Sequence, residues 1–437
     1  SHNINIKLYI LGFSLIIIFY LYFLSIQTLP YTYKDIYGPL SQRPELVALA
    51  AAFMALSIVA FTSARRAQLA ASLIAAVAVV LKYAMPLAAQ TYYVTNFYDA
   101  AGHMVRTAYV LATGHSAPLG VDVYFDLQPA FFWWTAEFIY VIWGSGAGYL
   151  SPPSIFLMKY FSLIFFILAI PVLVLLLRRA GLALPYALLA VAFFVMISEM
   201  RYHYSAQAYT YILYWLAIAM LIHRRMGARE MGVLFVVFAS AVYLHKGTTL
   251  YILIALLVVF LYDTLKGWRR HVKRTVASLA VLASSIIVLV FVLLKAKFYN
   301  LQNFTNLFSN LFEIILKKNV LLIFLDIKRP YLPWQDAVIV KAAYFSAMIL
   351  MVLASLLYLY LRRRDDVYLK LFLISLASVV LLVPIALALG GAGYVERVYD
   401  ILTPLMALVM ASAIGRGHKP WLATFAIVAS VLGYVVY

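Results

Sequence analysis

Three ionisable residues follow one another at helical spacing in the segment from Thr95 to Arg106, namely Asp99, His103 and Arg106 itself. In a helix, positions i, i+4 and i+7 lie on one face, so a carboxylate, an imidazole and a guanidinium would converge there. This set suits removal of a proton from an attacking hydroxyl beside an anionic leaving group, with Asp99 as the base. Two other interpretations stay open: Asp99 caps the start of a helix, or Asp99 and His103 supply two ligands of a divalent metal ion.

The other candidates for substrate binding are polar residues in the same region or at the ends of later apolar segments. They are His115, Asp122, Asp126, Arg201, His203, His245, Lys246 and Arg397. Arg397 is the leading candidate to bind a phosphate, because an arginine fork matches the geometry of phosphate oxygens. The alternative for Arg397 is an ion pair with Glu396 or Asp400. A membrane anchor at Arg201 and a solvated turn around Lys246 are further alternatives.

The composition indicates what kind of protein carries these residues. The chain has 437 residues, of which 66% are hydrophobic and 11% are charged, and its mean hydropathy is +0.96. Soluble domains are about 45–50% apolar and about 25% charged, so no aqueous fold could bury this much apolar surface. Cysteine is absent, which excludes a disulfide scaffold. The sequence therefore predicts an integral membrane protein, in which the net charge of +18 reflects orientation in the membrane rather than nucleic-acid binding.

We expect an all-α, polytopic protein, since its apolar stretches have the length of transmembrane helices. Thirteen spans are predicted, at residues 6–27, 45–62, 67–88, 155–177, 182–200, 206–222, 230–245, 248–263, 275–296, 341–361, 367–389, 399–414 and 420–436. Residues 1–66 would form an N-terminal transmembrane hairpin and residues 67–437 the main domain. The segments 89–154 and 297–340 would be long external loops, which is where function is most often found.

Basic clusters fall at alternate span ends, and they predict the orientation. The main clusters are Arg65-Arg66, Arg178-Arg179, Lys266 to Arg274 and Arg362 to Arg364. The positive-inside rule makes their side cytoplasmic, together with the N terminus, and puts the two long loops on the extracytoplasmic side. This scheme requires that residues 129–145 do not cross the membrane. Their aromatic run, Phe131 to Trp134, with Glu137 beside it, favours a helix that lies in the membrane interface.

A series of short motifs follows in a fixed order through residues 67–437. The motifs are Tyr98-Asp99, Gly114-His115-Ser116-Ala117-Pro118, Tyr124-Phe125 to Phe131-Phe132, Gly144, Arg178-Arg179-Ala180-Gly181, Leu244-His245-Lys246-Gly247 and Gly393 to Pro404. The order of these motifs, and the side of the membrane on which each is predicted to lie, resemble those of the GT-C superfamily. Its members are integral-membrane glycosyltransferases that use polyprenyl-phosphate-linked sugars. They include protein O-mannosyltransferases, lipid A aminoarabinose transferases and oligosaccharyltransferase catalytic subunits.

The resemblance implies a GT-C-like transmembrane catalytic domain with juxtamembrane helices in the first external loop. It also implies an inverting sugar transfer at the extracytoplasmic face, with Asp99 as the base that deprotonates the acceptor. The donor would be a polyprenyl-phosphate-linked sugar, and the acceptor a lipid, a glycan or a protein. Membrane lipids would be the other partners.

The sequence departs from the family pattern in two ways. Three predicted spans precede the first long loop, where the family usually has one, and Ala100 follows Asp99 where many members have a second acid. The second difference leaves a metal requirement open, with Asp122 or Asp126 as the other carboxylate. A transporter or lipid flippase is the alternative from another class. It would carry ionisable residues deep in several spans, whereas here Lys82 is the clear intramembrane charge and the acids gather near the outer rim.

Overall fold

The structure, a computed structural model, describes nine stretches of the chain and four isolated positions. The stretches are 97–118, 121–122, 124–125, 128–144, 151–197, 204–223, 228–267, 338–384 and 392–415, and the positions are 69, 283, 286 and 287. Apart from these positions, the spans predicted at 6–27, 45–62, 67–88, 275–296 and 420–436 lie outside the described residues. Most of the second long loop also lies outside them.

The described stretches are mostly α-helical. The helices are α1 (Phe97–Thr113), α2 (Pro129–Trp143), α3 (Pro152–Arg179), α4 (Leu184–Ile197), α5 (Ala206–Leu221), α6 (Ala228–Leu244), α7 (Lys246–Gly267), α8 (Val338–Leu361), α9 (Asp366–Ala377), which continues as a π-helical segment (Ser378–Leu382), and α10 (Ala392–Gly415). For this part of the chain the all-α expectation is confirmed, including two helices, α1 and α2, in the first predicted external loop.

Two of the described helices are long and apolar enough to cross a membrane: α3, and α7 over Thr249–Lys266. Shorter apolar helical stretches occupy Ala130–Trp143, Leu184–Val195, Ala206–Leu221 and Met348–Leu361. The thirteen-span topology and its orientation remain predictions.

Local sequence signals explain both ends of α3. Pro152 occupies the first helical turn, where a missing backbone N–H costs nothing and the fixed φ angle suits a helix. At the other end Gly181 adopts a left-handed φ of 92°, and Leu182 donates its backbone N–H to the carbonyl of Leu177 at 3.1 Å. This is the glycine-terminated helix end that satisfies the last free carbonyls. The chain can therefore turn directly into α4.

Helix α5 lies at the centre of the described bundle. It packs against α3, α6 and α7, and α10 packs most extensively against α4. The aromatic rings of Tyr211, Tyr214 and Trp215 on α5 are fully buried. The indole N–H of Trp215 donates to the carbonyl of Ile401 at 3.4 Å and so joins α5 to α10. A central helix that is apolar on all sides is the expected pattern for a helix surrounded by others.

Polar contacts gather at one end of this bundle, the end where α3, α5 and α7 finish and α9 begins. Arg179 donates to the carbonyl of Ala219 at 2.8 Å. The buried ammonium of Lys370 lies 3.0 Å from Asp263, and Lys266 lies 2.5 Å from Asp366. The basic clusters predict that these helix ends share the cytoplasmic side. Their mutual contacts are those expected if they do.

Two of the differences between observed and predicted helix boundaries affect candidate site residues. Helix α10 begins at Ala392 rather than at residue 399, so Arg397 lies in a helix and not in the loop before it. The connection between α6 and α7 is the single residue His245 rather than a two-residue turn. Both differences have the same cause: hydrophobicity marks the apolar part of a helix and misses polar turns that continue it.

Candidate functional site

Asp99 and His103 lie on α1, as their spacing predicts. The imidazole Nε2 of His103 is 3.6 Å from Oδ1 of Asp99. Asp99 is the third residue of the helix, inside its first turn rather than at the capping position, and a carboxylate there interacts favourably with the helix N-terminus. The Asp99 side chain is 46% exposed and the His103 side chain 6%. A carboxylate open to incoming molecules is thus backed by a buried imidazole.

Aromatic rings surround the His103 imidazole. The ring centroids of Tyr124, Phe131, Phe132 and Tyr204 lie 5.9, 5.6, 5.9 and 6.3 Å from that of His103. We refer to these four residues as the aromatic cage. Three of the four contacts are edge-to-face, the arrangement that aromatic rings prefer. The cage excludes water from one side of the Asp99–His103 pair.

Arg106 does not join Asp99 and His103, contrary to the expectation that all three converge. Its Nε donates to Oδ2 of Asp122 at 2.9 Å, and its guanidinium lies 4.2 Å above the ring of Tyr124. The other oxygen of Asp122 accepts the backbone N–H of Tyr124 at 2.8 Å. The connection between α1 and α2 folds back along α1, so Arg106 meets a carboxylate closer than Asp99. Arg106 and Asp122 therefore form one wall beside the cage.

His245 and Arg397 reach the same end of the bundle from other helices. His245 forms the break between α6 and α7, and Arg397 lies near the start of α10. Both His103 and Arg397 lie close enough to His245 to act on it electrostatically. Three separate parts of the chain, which carry His103, His245 and Arg397, therefore contribute residues to one end of the bundle. A common cavity lined by these residues and Asp99 stays a prediction.

The remaining predicted site residues are not all described or close to this cluster. His115 follows the far end of α1 and contacts Tyr109, which lies about 15 Å along the helix from Asp99. Lys246 is the first residue of α7, and its side chain lies outside the described part. Asp126, Arg201 and His203 also lie outside the described residues. Their proposed roles remain predictions.

Some buried residues were not named as candidate site residues from the sequence. Tyr204 carries no charge, so no spacing rule singles it out among 34 tyrosines, and Phe131 and Phe132 were noted only within a motif of the family resemblance. Lys159 is different, because it is 7% exposed within the apolar helix α3. A lysine inside a predicted span is itself a functional signal, and it could have been noticed.

The described residues offer an incomplete set of metal ligands. Within them, no three His, Cys, Asp or Glu side chains come together in a way that could hold a metal ion. Asp99 and His103 supply two ligands, and both oxygens of Asp122 already accept hydrogen bonds. Since two ligands do not make a site, the described residues do not fit a resident metal, and no chemical step is assigned to one.

The helix arrangement is similar to that of solved oligosaccharyltransferases, one of the groups within the superfamily that the motif order resembles. It aligns with the archaeal oligosaccharyltransferase AglB from Archaeoglobus fulgidus in complex with an inhibitory peptide and a dolichol-phosphate, at a TM-score of 0.53 and 13% identity over 84% of this chain and 55% of that one. The apo form of the Archaeoglobus fulgidus enzyme aligns at a TM-score of 0.52 and 13% identity, with the same coverage. A third structure, tethered to an acceptor peptide containing the NVT sequon, aligns at a TM-score of 0.50 and 14% identity over 83% of this chain and 55% of that one.

These alignments show a fold similar to that of the Archaeoglobus fulgidus oligosaccharyltransferase. The chain spans about half the length of the solved structures it matches. No family model matches it, and no curated protein sequence matches it. At 13–14% identity the likeness is one of fold, so the roles of residues must be argued from the site itself.

Proposed function

We propose that the protein is a glycosyltransferase that moves a sugar from a polyprenyl-phosphate-linked donor to an acceptor at the extracytoplasmic membrane face. The observation that supports this proposal is the Asp99–His103 pair, at 3.6 Å, with His103 and Arg397 both within electrostatic range of His245, in a fold similar to that of an oligosaccharyltransferase. The predicted topology supports the face, because the basic clusters at the opposite helix ends are expected in the cytoplasm.

The proposed chemistry uses the carboxylate of Asp99 and the guanidinium of Arg397. Asp99 accepts the proton of the acceptor group, and the acceptor then attacks C1 of the sugar from the side opposite the phosphate. The bond between C1 and the phosphate oxygen breaks, and the phosphate leaves with the electron pair. One such displacement inverts the configuration at C1. Arg397 binds the phosphate of the donor, as a guanidinium fork suits phosphate oxygens.

The partly closed surroundings of Asp99 help it to act as a base. His103 lies directly behind the carboxylate at 3.6 Å, and the aromatic cage covers the imidazole. A positioned group that needs no reorganisation before it takes the proton contributes typically 10²- to 10⁴-fold to a rate. The half-exposed Asp99 side chain leaves room for an acceptor to approach.

The ligands of the structural neighbours support the choice of substrates. One neighbour is in complex with an inhibitory peptide and a dolichol-phosphate, and another is tethered to an acceptor peptide with the NVT sequon. We infer that a lipid phosphate carries the donor sugar here too. A peptide is one candidate acceptor beside lipids and glycans.

A transfer assay tests the proposal directly. The purified protein is reconstituted in nanodiscs and supplied with polyprenyl-phosphate-linked sugars or, in parallel, with nucleotide sugars, together with peptide, lipid and glycan acceptors. We expect mass spectrometry to detect sugar transfer from the lipid-linked donors alone. Movement of a lipid-linked sugar across liposome membranes without transfer would instead establish a transporter or flippase.

Replacement of Arg397 tests the phosphate-binding role. We expect Arg397→Gln to raise the KM for the donor about 10- to 100-fold, because a hydrogen bond to a charged group contributes about 1.5–3 kcal/mol. The KM for the acceptor should change little. Initial rates at varied donor concentration measure the effect.

Arg229→Gln is the matched control for Arg397→Gln. Arg229 is an exposed arginine near the start of α6, so the change removes the same charge at the opposite end of that helix from His245. An equal rise in donor KM in both variants would show that Arg397 acts through net charge and not as a phosphate ligand.

A further inference from the structure

Tyr204 joins three helices of the candidate site. It lies just before α5 and is fully buried. Its ring centroid lies 6.3 Å from that of His103 on α1, 5.0 Å from Phe131 on α2 and 5.5 Å from Phe161 on α3. No other member of the aromatic cage comes from outside the first long loop. Tyr204 is therefore the cage residue that ties this loop to the helix bundle.

The Tyr204 hydroxyl is part of a chain of hydrogen bonds that ends on His103. Thr107 Oγ1 donates to the backbone carbonyl of His103 at 3.2 Å, and it lies 2.7 Å from the Tyr204 hydroxyl. Either hydroxyl can be the donor in the bond between Thr107 and Tyr204. Thr135 on α2 lies close enough to affect the Tyr204 hydroxyl, and its own hydroxyl donates to the backbone carbonyl of Phe131 at 2.6 Å.

The hydroxyl keeps its proton under all physiological conditions. Burial raises the pKa of Tyr204 above its ordinary value. The hydrogen bond between the Tyr204 and Thr107 hydroxyls is thus present at every pH at which the protein works.

We propose that Tyr204 is a positioning residue, which holds α1 against α2 and α5 so that the His103 imidazole stays behind the Asp99 carboxylate. The inference rests on the proposed function, because the purpose that it gives to the Tyr204 contact is to support proton removal by Asp99. Asp99 and His103 lie one helical turn apart, so a shift of α1 moves both relative to His245 and Arg397. A displacement of about 1 Å at a reacting centre can cost about 100-fold in rate.

The test compares Tyr204→Phe with Tyr209→Phe and Thr107→Val. Tyr209 is the matched control, because its ring also packs against Phe131 and Phe161, at 6.1 and 5.3 Å. Each change removes one hydroxyl and nearly preserves the volume, so the variants are expected to fold. Two quantities are measured: steady-state transfer, and the rate at which diethylpyrocarbonate modifies His103, followed by peptide mass spectrometry.

We expect Tyr204→Phe to lower kcat about 10-fold while both KM values stay within about twofold, since a buried hydrogen bond of this kind orders the site without touching substrate. Modification of His103 should become about fivefold faster as α1 loosens. The double variant Tyr204→Phe/Thr107→Val should be no worse than Thr107→Val alone, because Thr107→Val already breaks the bond between the two hydroxyls. Tyr209→Phe should resemble the wild type in both measurements.

The results distinguish this inference from the proposed function. If His103 modification is unchanged in Tyr204→Phe, the positioning role is wrong even where transfer is observed. Faster modification with normal kcat means that the contact is structural only, and it also overturns the inference. If the wild type transfers no sugar from any lipid-linked donor, the proposed function is wrong, and so is the catalytic purpose given to Tyr204. The modification rates then still show whether Tyr204 holds His103 in place.

Discussion

We expect Asp99→Asn to lower kcat for sugar transfer on the order of 10³-fold, the loss typical of removing a positioned general base. The amide has nearly the same shape as the carboxylate but cannot take a proton, so binding of the lipid-linked donor should stay within about threefold of the wild type. Single-turnover transfer and direct donor binding, measured on the same purified variant, separate the two quantities.

Glu137→Gln is the control for Asp99→Asn. Glu137 is an exposed carboxylate on α2, in the same loop, and its replacement makes the same change of charge. We expect it to transfer sugar at close to the normal rate. Near-normal turnover by Asp99→Asn would contradict the assignment of Asp99 as the base, whatever the donor proves to be.

The largest expected effect on stability is at Lys370, far from the candidate site. Lys370 is 1% exposed, and its ammonium lies 3.0 Å from Asp263 and 3.8 Å from Asp366. Asp366 also accepts from Lys266 and from the hydroxyl of Tyr262. The network joins the end of α7 to the start of α9. It holds the second half of the bundle together at the end opposite to the site.

We expect Lys370→Met to lower the free energy of unfolding by about 3–5 kcal/mol, because it leaves the partner carboxylate without its cation in a partly buried place. The double variant Lys370→Met/Asp263→Leu should recover most of the loss, since an apolar pair avoids the cost of burying charge. Unfolding in mixed detergent micelles, followed by tryptophan fluorescence, measures the free energy of unfolding of the single and the double variant.

Arg364→Met is the control for Lys370→Met. It replaces an exposed basic residue in the adjoining turn and should change the unfolding free energy by no more than about 0.5 kcal/mol. Equal losses in the two variants would show that net charge, and not the buried network, stabilises this end of the bundle.

The features of the site that depend on a single helix were largely predictable from the sequence. The spacing of Asp99 and His103 predicts that they share a face of α1, and the structure confirms it with a separation of 3.6 Å. The helix α2 was also predicted, and Pro129 in its first turn is one of the sequence signals that mark its start. Such features depend on residues within a few turns of one another.

The partner of Arg106 could not be predicted in the same way. Helical spacing points Arg106 toward the face of Asp99, but the connection to α2 brings Asp122 to within 2.9 Å. Periodicity describes the direction in which a side chain leaves its own helix. It carries no information about how a loop folds back over that helix.

The sequence by itself determined the helical character of the described stretches and the spacing that pairs Asp99 with His103, and it predicts an integral membrane protein with its basic clusters on one side. These follow from hydrophobicity, spacing and charge counts, which are properties of neighbouring residues. The tertiary structure decided that Tyr204 meets Thr107 across 97 positions, that Lys370 meets Asp263, and that His245 and Arg397 reach the same site as His103. Contacts between helices depend on how their surfaces fit when packed, and many pairings satisfy the same pattern of hydrophobicity.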